Sequence, residues 1–122
     1  MRALIVDDSR FVRSYLRRLL EEKGMECYEA ADGLTGLELL DSDGPFDIAL
    51  LDWNMPVMDG LEMLKQLRAD GFRGLKVMMV TTEAESGFIL RALHAGADEY
   101  LMKPFDGEAL TEKLAMLGLV EA

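Results

Sequence analysis

Four short apolar runs in this 122-residue chain each end in residues bearing a charge or a hydroxyl. Ala3–Val6 is followed by Asp7 and Asp8, and Asp47–Leu51 by Asp52. Lys76–Val80 is followed by Thr81 and Thr82, and Glu99–Met102 by Lys103 and Pro104. Brought together, these ends would make an acidic, all-oxygen pocket with one built-in ammonium. Two like charges ~4 Å apart cost roughly 4 kcal/mol at an effective dielectric of 20. Such a group persists only if a bound cation, a lysine or raised carboxyl pKa values offset the repulsion. Oxygen donors on a shallow rim favour Mg²⁺, which keeps several waters, over a Ca²⁺ cage. A cation and a lysine beside an ionised carboxylate are also what phosphoryl transfer to that carboxylate needs.

Taken singly, the same residues have plainer uses. Asp8, Ser9, Asp59 and Thr82 each suit a helix N-cap, and a lone Lys103 suits solvent. Asp52 fits that role less well, because Trp53-Asn54-Met55-Pro56 delay the next helix. The weight lies in four separate run ends agreeing on acid, acid, hydroxyl and lysine.

The elements that must position these residues follow from the apolar spacing. Strands are predicted over Ala3–Val6, Glu26–Ala30, Asp47–Leu51, Lys76–Val80 and Glu99–Met102. Between them the 3.6-residue period predicts helices over Ser9–Lys23, Leu34–Leu40, Gly60–Leu67 and Glu85–Ala95, with Glu108–Leu117 after the last strand. Gly24 and Gly96 mark helix ends, and Ser42-Asp43-Gly44-Pro45 marks a turn. Five β–α units with apolar strands predict an α/β fold: a doubly wound, five-stranded parallel sheet with helices on both faces. The usual right-handed solution is the flavodoxin-like order 2-1-3-4-5, whose ligand site lies beyond the C-terminal ends of strands 1 and 3. That is where Asp7, Asp8 and Asp52 fall.

Composition narrows the class. The length predicts a single domain over residues 1–122, able to bury roughly two-thirds of its unfolded surface. Thirteen Lys and Arg against 23 Asp and Glu give a net charge of −10, which argues against nucleic acid or an anionic membrane as partner. One cysteine, Cys27, excludes a disulfide framework and suits a reducing compartment. The first apolar run is too short for a signal peptide or membrane span, so a soluble cytoplasmic domain is expected. Residues 1–23 nevertheless carry six basic and four acidic groups, with the excess on Arg10, Arg13, Arg17, Arg18 and Lys23. That segment is either a solvated face or a docking surface.

Several motifs together have a family look. Val6-Asp7-Asp8-Ser9, Asp52-Trp53-Asn54-Met55-Pro56, Met58-Asp59-Gly60, Val80-Thr81, Ala95-Gly96-Ala97 and Tyr100 through Phe105 resemble the receiver domain of two-component response regulators. The likeness is greatest to the stand-alone chemotaxis regulators and runs from Leu4 to Leu117. It implies that Asp52 is the phosphoacceptor. Asp8, Asp52 and the Asn54 carbonyl would then hold Mg²⁺, with Asp7 acting through a metal-bound water. Lys103 would pair with the phosphoryl oxygens across a cis Lys103–Pro104 bond. Thr81 would hydrogen-bond the phosphoryl group, and Tyr100 would swing inward as Thr81 moves. Asn54 and Glu83 match positions that tune phosphoryl lifetime, and quick self-dephosphorylation is expected. Thr82 departs from the usual Ala or Gly and adds bulk beside the site.

The resemblance further implies a phosphoacceptor signalling protein that catalyses its own phosphoryl transfer and dephosphorylation, fed by a histidine kinase. A flagellar motor switch in chemotaxis is one target. The alternatives are a phosphorelay intermediate or phosphate sink passing the group to a phosphotransfer protein, or a constitutive binding module. Ile89, with part of Phe88 or Leu93, is expected to be exposed on the fourth helix as a contact patch, joined by Tyr100 and Lys113. The basic first helix matches the usual kinase-docking side, and His94 reads as structural or surface. With only Gly118–Ala122 after the last helix, no output domain is expected. A monomer is expected, with phosphorylation-dependent dimerisation as the other possibility. Two other enzyme and carrier classes fit less well. An aspartate-nucleophile phosphatase places a second acid where Asn54 stands, and Asp7-Asp8 would repel a flavin phosphate. Neither a P-loop nor a dinucleotide fingerprint is present.

Overall fold

A computed structural model describes residues 1–83 and 85–121. Ten elements alternate along the chain: β1 (Arg2–Val6), α1 (Arg10–Glu21), β2 (Glu26–Ala30), α2 (Gly33–Asp43), β3 (Ile48–Leu51), α3 (Gly60–Ala69), β4 (Lys76–Thr81), α4 (Ser86–Ala95), β5 (Glu99–Met102) and α5 (Gly107–Met116). All strand pairs are parallel, in the order β2-β1-β3-β4-β5. The five βα units and the strand order read from the sequence are those of the molecule.

Alternation of side chains along each strand divides the core into two. Ala3, Ile5, Leu50, Met78 and Val80 face Leu16 and Leu20 of α1 and Leu110 and Leu114 of α5. Leu4, Val6, Leu51, Val77 and Met79 face α2, α3 and α4 through Leu40, Leu64, Leu67 and Ala92. Burial on both sides explains why these strands read as unbroken apolar runs. Among the described residues, no helix is long and apolar enough to cross a membrane.

Register sets the site. Val6 stands opposite Leu51, and the Asp52 N–H donates to the Val6 carbonyl at 2.9 Å. Asp7 and Asp52 therefore leave adjoining strands at the same level. On the other side Thr81 stands opposite Met102, and the Lys103 N–H donates to the Thr81 carbonyl at 2.9 Å.

The helix ends follow local chemistry, with two departures from expectation. Ser9 and Asp59 are N-caps, Asp59 in a full capping box with Glu62, whereas the N-cap positions of α1 and α4 fall to Ser9 and Glu85 rather than to Asp8 and Thr82. α2 is longer than Leu34–Leu40. Asp32 caps it from Thr35 N, adding Gly33, and it runs on to Asp43 before Pro45 forces Gly44 into an extended conformation. In α4 the exposed large apolar side chains are Leu90 and Leu93, while Ile89 and Phe88 are half-buried and pack against the core. Of the expected patch, Leu93 is exposed and Ile89 is half-buried rather than exposed. Phe88 meets Trp53 edge-on at 5.0 Å, which turns the Phe88–Ala92–Ala95 side of α4 inward.

The two ends of α4 are held unequally. At its C-terminal end the Arg68 guanidinium donates to the Gly96 carbonyl at 2.7 and 3.2 Å and to Leu75 O at 2.8 Å. It also pairs with Asp98 at 3.1 Å. Gly96 itself adopts φ +111°, a left-handed helix stop that favours glycine. At the other end Glu85 occupies the N-cap position without a side-chain hydrogen bond.

Candidate functional site

Asp7, Asp8 and Asp52 each place a carboxylate oxygen within 4.8 Å of the others. Asp7 and Asp52 are buried and Asp8 is exposed, so the cluster opens to solvent on one side. Each oxygen of Asp7 accepts one hydrogen bond: Oδ1 from Ser9 N at 2.8 Å and Oδ2 from Lys103 Nζ at 2.7 Å. Lys103 lies farther from Asp52 Oδ2, at 3.5 Å. The Lys103–Pro104 peptide is cis, as the motif implied, and Gly44–Pro45 is cis as well.

Three carboxylates against one ammonium leave an excess of negative charge in a partly buried place. The Asp52 carboxyl is accordingly pushed above its ordinary range, first by burial and then by the neighbouring Asp7, with Lys103 pulling the other way. An all-oxygen donor set, an unneutralised charge and an open side fit a hard divalent cation.

The rim is built from the strand ends beyond. Thr81 is fully buried, and its hydroxyl accepts from Glu83 N at 3.4 Å. The Tyr100 ring is also buried, its hydroxyl donating to the Glu83 carbonyl, so the tyrosine already points inward here. Burial, and then Glu83, raise the phenol above its usual pKa. Thr82 is exposed.

Some contacts had no sequence signal. Asn54 Nδ2 donates to Glu83 Oε1 at 2.6 Å, tying the β3–α3 loop to the β4–α4 loop. Both residues were singled out, but their pairing depends on β3 and β4 being neighbours. Arg13 of α1 donates to the Asp7 carbonyl at 2.6 Å and pairs with Glu29 at 3.1 Å. Arg17 pairs with Glu29 at 2.6 Å and with Glu21 at 3.5 Å. Two of the basic residues in the first helix therefore hold the β1–α1–β2 unit together. Arg10, Arg18 and Lys23 are the exposed remainder. Lys113, expected on a contact face, pairs with Glu99 at 2.9 Å, and His94 is exposed.

The response regulator receiver domain model matches residues 3–115. Chemotaxis protein CheY-3 of Vibrio cholerae serotype O1 is 44% identical over 116 residues, covering 93% of this chain and 88% of that protein. Chemotaxis protein CheY1 of Helicobacter pylori J99 is 38% identical over 119 residues, covering 96% of each. Among solved structures, the chemotaxis response regulator CheY4 of Vibrio cholerae superposes with a TM-score of 0.88 at 33% identity, covering 95% of this chain and 97% of that one. A CheY-like receiver domain protein from Methanospirillum hungatei JF-1 gives 0.86 at 35% identity, covering 95% and 91%.

Proposed function

Because the chain belongs to the response regulator receiver family, whose members are phosphoacceptor signalling domains, we propose that it is a CheY-like switch phosphorylated on Asp52. The observation that carries this reading is the meeting of Asp7, Asp8 and Asp52 with the Lys103 ammonium at the β1/β3 strand ends. In the transfer step an Asp52 carboxylate oxygen attacks phosphorus. The P–N bond to the donor kinase's phosphohistidine breaks, and the imidazole leaves and takes up a proton.

Asp8 and Asp52 would hold Mg²⁺ directly, with the Asn54 carbonyl and with Asp7 acting through water. Magnesium, when bound, supplies positive charge against the equatorial phosphoryl oxygens. Lys103 supplies the second positive charge, and the Thr81 hydroxyl a hydrogen bond. Thr81 and Tyr100 meet at Glu83, whose N–H donates to one and whose carbonyl accepts from the other. A change at Asp52 that draws Thr81 therefore acts on the segment holding Tyr100, a local charge event biasing a loop and helix. The Asn54–Glu83 bond supports a role for both side chains in setting access of the attacking water.

Two relatives named as chemotaxis proteins favour a role in motor control, in the cytoplasm, downstream of a histidine kinase. Retention of the repelling carboxylates speaks against a constitutive binding module, which gains nothing from them.

The test is intact mass after incubation with acetyl phosphate and Mg²⁺, with Trp53 fluorescence followed in parallel. A single labile phosphoryl adduct, absent with EDTA and in Asp52→Asn, is expected. An adduct that survives Asp52→Asn, or forms equally well in EDTA, would refute the assignment.

A further inference from the structure

Arg2, Arg13, Arg17, Arg68, Lys103 and Lys113 are all committed to ion pairs. Lys65 and Arg91 have none among the described residues, and they come from adjacent helices to line one groove. Leu61 and Lys65, a turn apart on α3, face Arg91, His94 and Ala95 of α4 across a space of about 280 Å³.

Arg91 is held ready. Its guanidinium carbon lies 5.5 Å from the Trp53 ring and 5.7 Å from the Phe88 ring, which themselves stack edge-on. These contacts hold the guanidinium beside two aromatic rings, while no carboxylate among the described residues pairs with it. A preorganised donor loses little entropy when an acceptor arrives. Leu61 and Ala95 add apolar wall to the cationic rim.

The occupant is constrained by charge and size. The chain carries −10 overall, which repels long polyanions. A short segment with a few carboxylates and one apolar side chain meets both the rim and the wall. We propose that the α3–α4 groove docks a short acidic peptide segment of a partner protein, with carboxylates on Lys65 and Arg91 and an aliphatic side chain against Leu61 and Ala95. Trp53, beneath Arg91, directly follows Asp52 in the chain. Occupancy of the groove and the state of Asp52 are thereby coupled, each altering the other's equilibrium; this coupling, unlike the docking, rests on Asp52 being the phosphoacceptor.

The full chain, ¹⁵N-labelled at low salt, would be titrated with the acetylated and amidated peptide Ser-Glu-Glu-Leu-Glu-Ser. Saturable shifts are expected at Leu61, Lys65, Arg91, His94 and the Trp53 indole. The same peptide with glutamine for glutamate should produce none. Lys65→Glu should weaken binding at least tenfold while the free protein keeps its far-UV circular dichroism, because Lys65 is exposed. Shifts centred on Arg10 and Arg18 of α1, unchanged affinity in Lys65→Glu, or equal competition by a hexathymidylate would each overturn the docking proposal. With acetyl phosphate and Mg²⁺, affinity should change at least threefold in the native chain and not in Asp52→Asn. Unchanged affinity beside a confirmed adduct would overturn the coupling, whereas absence of any adduct would overturn the phosphoacceptor reading instead.

Discussion

Lys103 Nζ lies 2.7 Å from Asp7 Oδ2, across 96 residues of chain, and this ion pair leaves Asp52 the less compensated of the two buried carboxylates. Burial and Asp7 raise the Asp52 pKa in the folded state above its unfolded value. A raised carboxyl pKa contributes stability below the unfolded pKa, and that contribution is lost as pH rises through the folded one. At neutral pH the ionised Asp52 thus opposes folding. Asp52→Asn should be the more stable protein at pH 7.5, by on the order of 1 kcal/mol or about 4 °C in Tm. Thermal melts should show the gain shrinking as pH falls toward the ordinary carboxyl range.

Removing the lysine has the opposite sign. Lys103→Met would leave Asp7 and Asp52 without their shared cation in a buried place. Loss of one partner of a buried pair costs about 3 kcal/mol. Urea titrations at pH 7 should show a lower midpoint with an unchanged slope. Mg²⁺ should restore more of the lost stability in this variant than it adds to the native chain.

Much of this site was legible because the strands are buried on both faces, so their ends stand out as the first polar residues after an apolar run. Asp7, Asp52, Thr81 and Lys103 were found that way. What stayed hidden was pairing between elements. That Lys103 chooses Asp7, that Arg13 and Arg17 turn to Glu29, and that Asn54 reaches Glu83 all depend on strand order and side-chain reach. Helical periodicity alone also left the exact facing of α4 open: Phe88 inserts beside Trp53, which leaves Leu93 exposed and Ile89 half-buried. The Asp32 cap adds only Gly33 to α2; its extra turn lies at the other end, where Asp41–Asp43 continue the helix outside the apolar pattern until Gly44-Pro45 stops it.

The Asn54–Glu83 bond separates kinetics from stability. Glu83→Ala removes the 2.6 Å side-chain contact but keeps the backbone carbonyl that accepts from Tyr100. The free energy of unfolding should stay within about 0.5 kcal/mol of native, as for a surface substitution. The rate of aspartyl-phosphate hydrolysis, followed by release of inorganic phosphate, should change at least threefold.

Gly60 is fixed by space. A Cβ there would sit 2.0 Å from the Asp52 carbonyl oxygen, and backbone offers no easy relief. Gly60→Ala should lose about 3 kcal/mol or more, shown by a lower urea midpoint. Gly74→Ala, with nothing within 4 Å, should be neutral or slightly stabilising.

Cys27 should be inert. Burial, with help from Glu21, pushes its thiol up to about 11, so almost none is thiolate at pH 8. Reaction with Ellman's reagent should track global unfolding and reach completion only in denaturant.

The unequal fastening of α4 gives that helix the mechanics of a lever. Arg68 pins the Gly96 end to α3 and to the loop before β4, while the Glu85 end has no side-chain cap hydrogen bond and rests on the Phe88–Trp53 ring contact. About 15 Å of helix separates the two ends at a rise of 1.5 Å per residue. A tilt of about 5° around the pinned end carries the other through just over 1 Å. Leu93, close to the fulcrum, barely moves, whereas Phe88 and its contact with Trp53 travel most of that distance. A displacement smaller than an atomic radius at the Glu83 loop is therefore delivered as a change of angle. Any surface that reads α4 would sense its inclination more than its position.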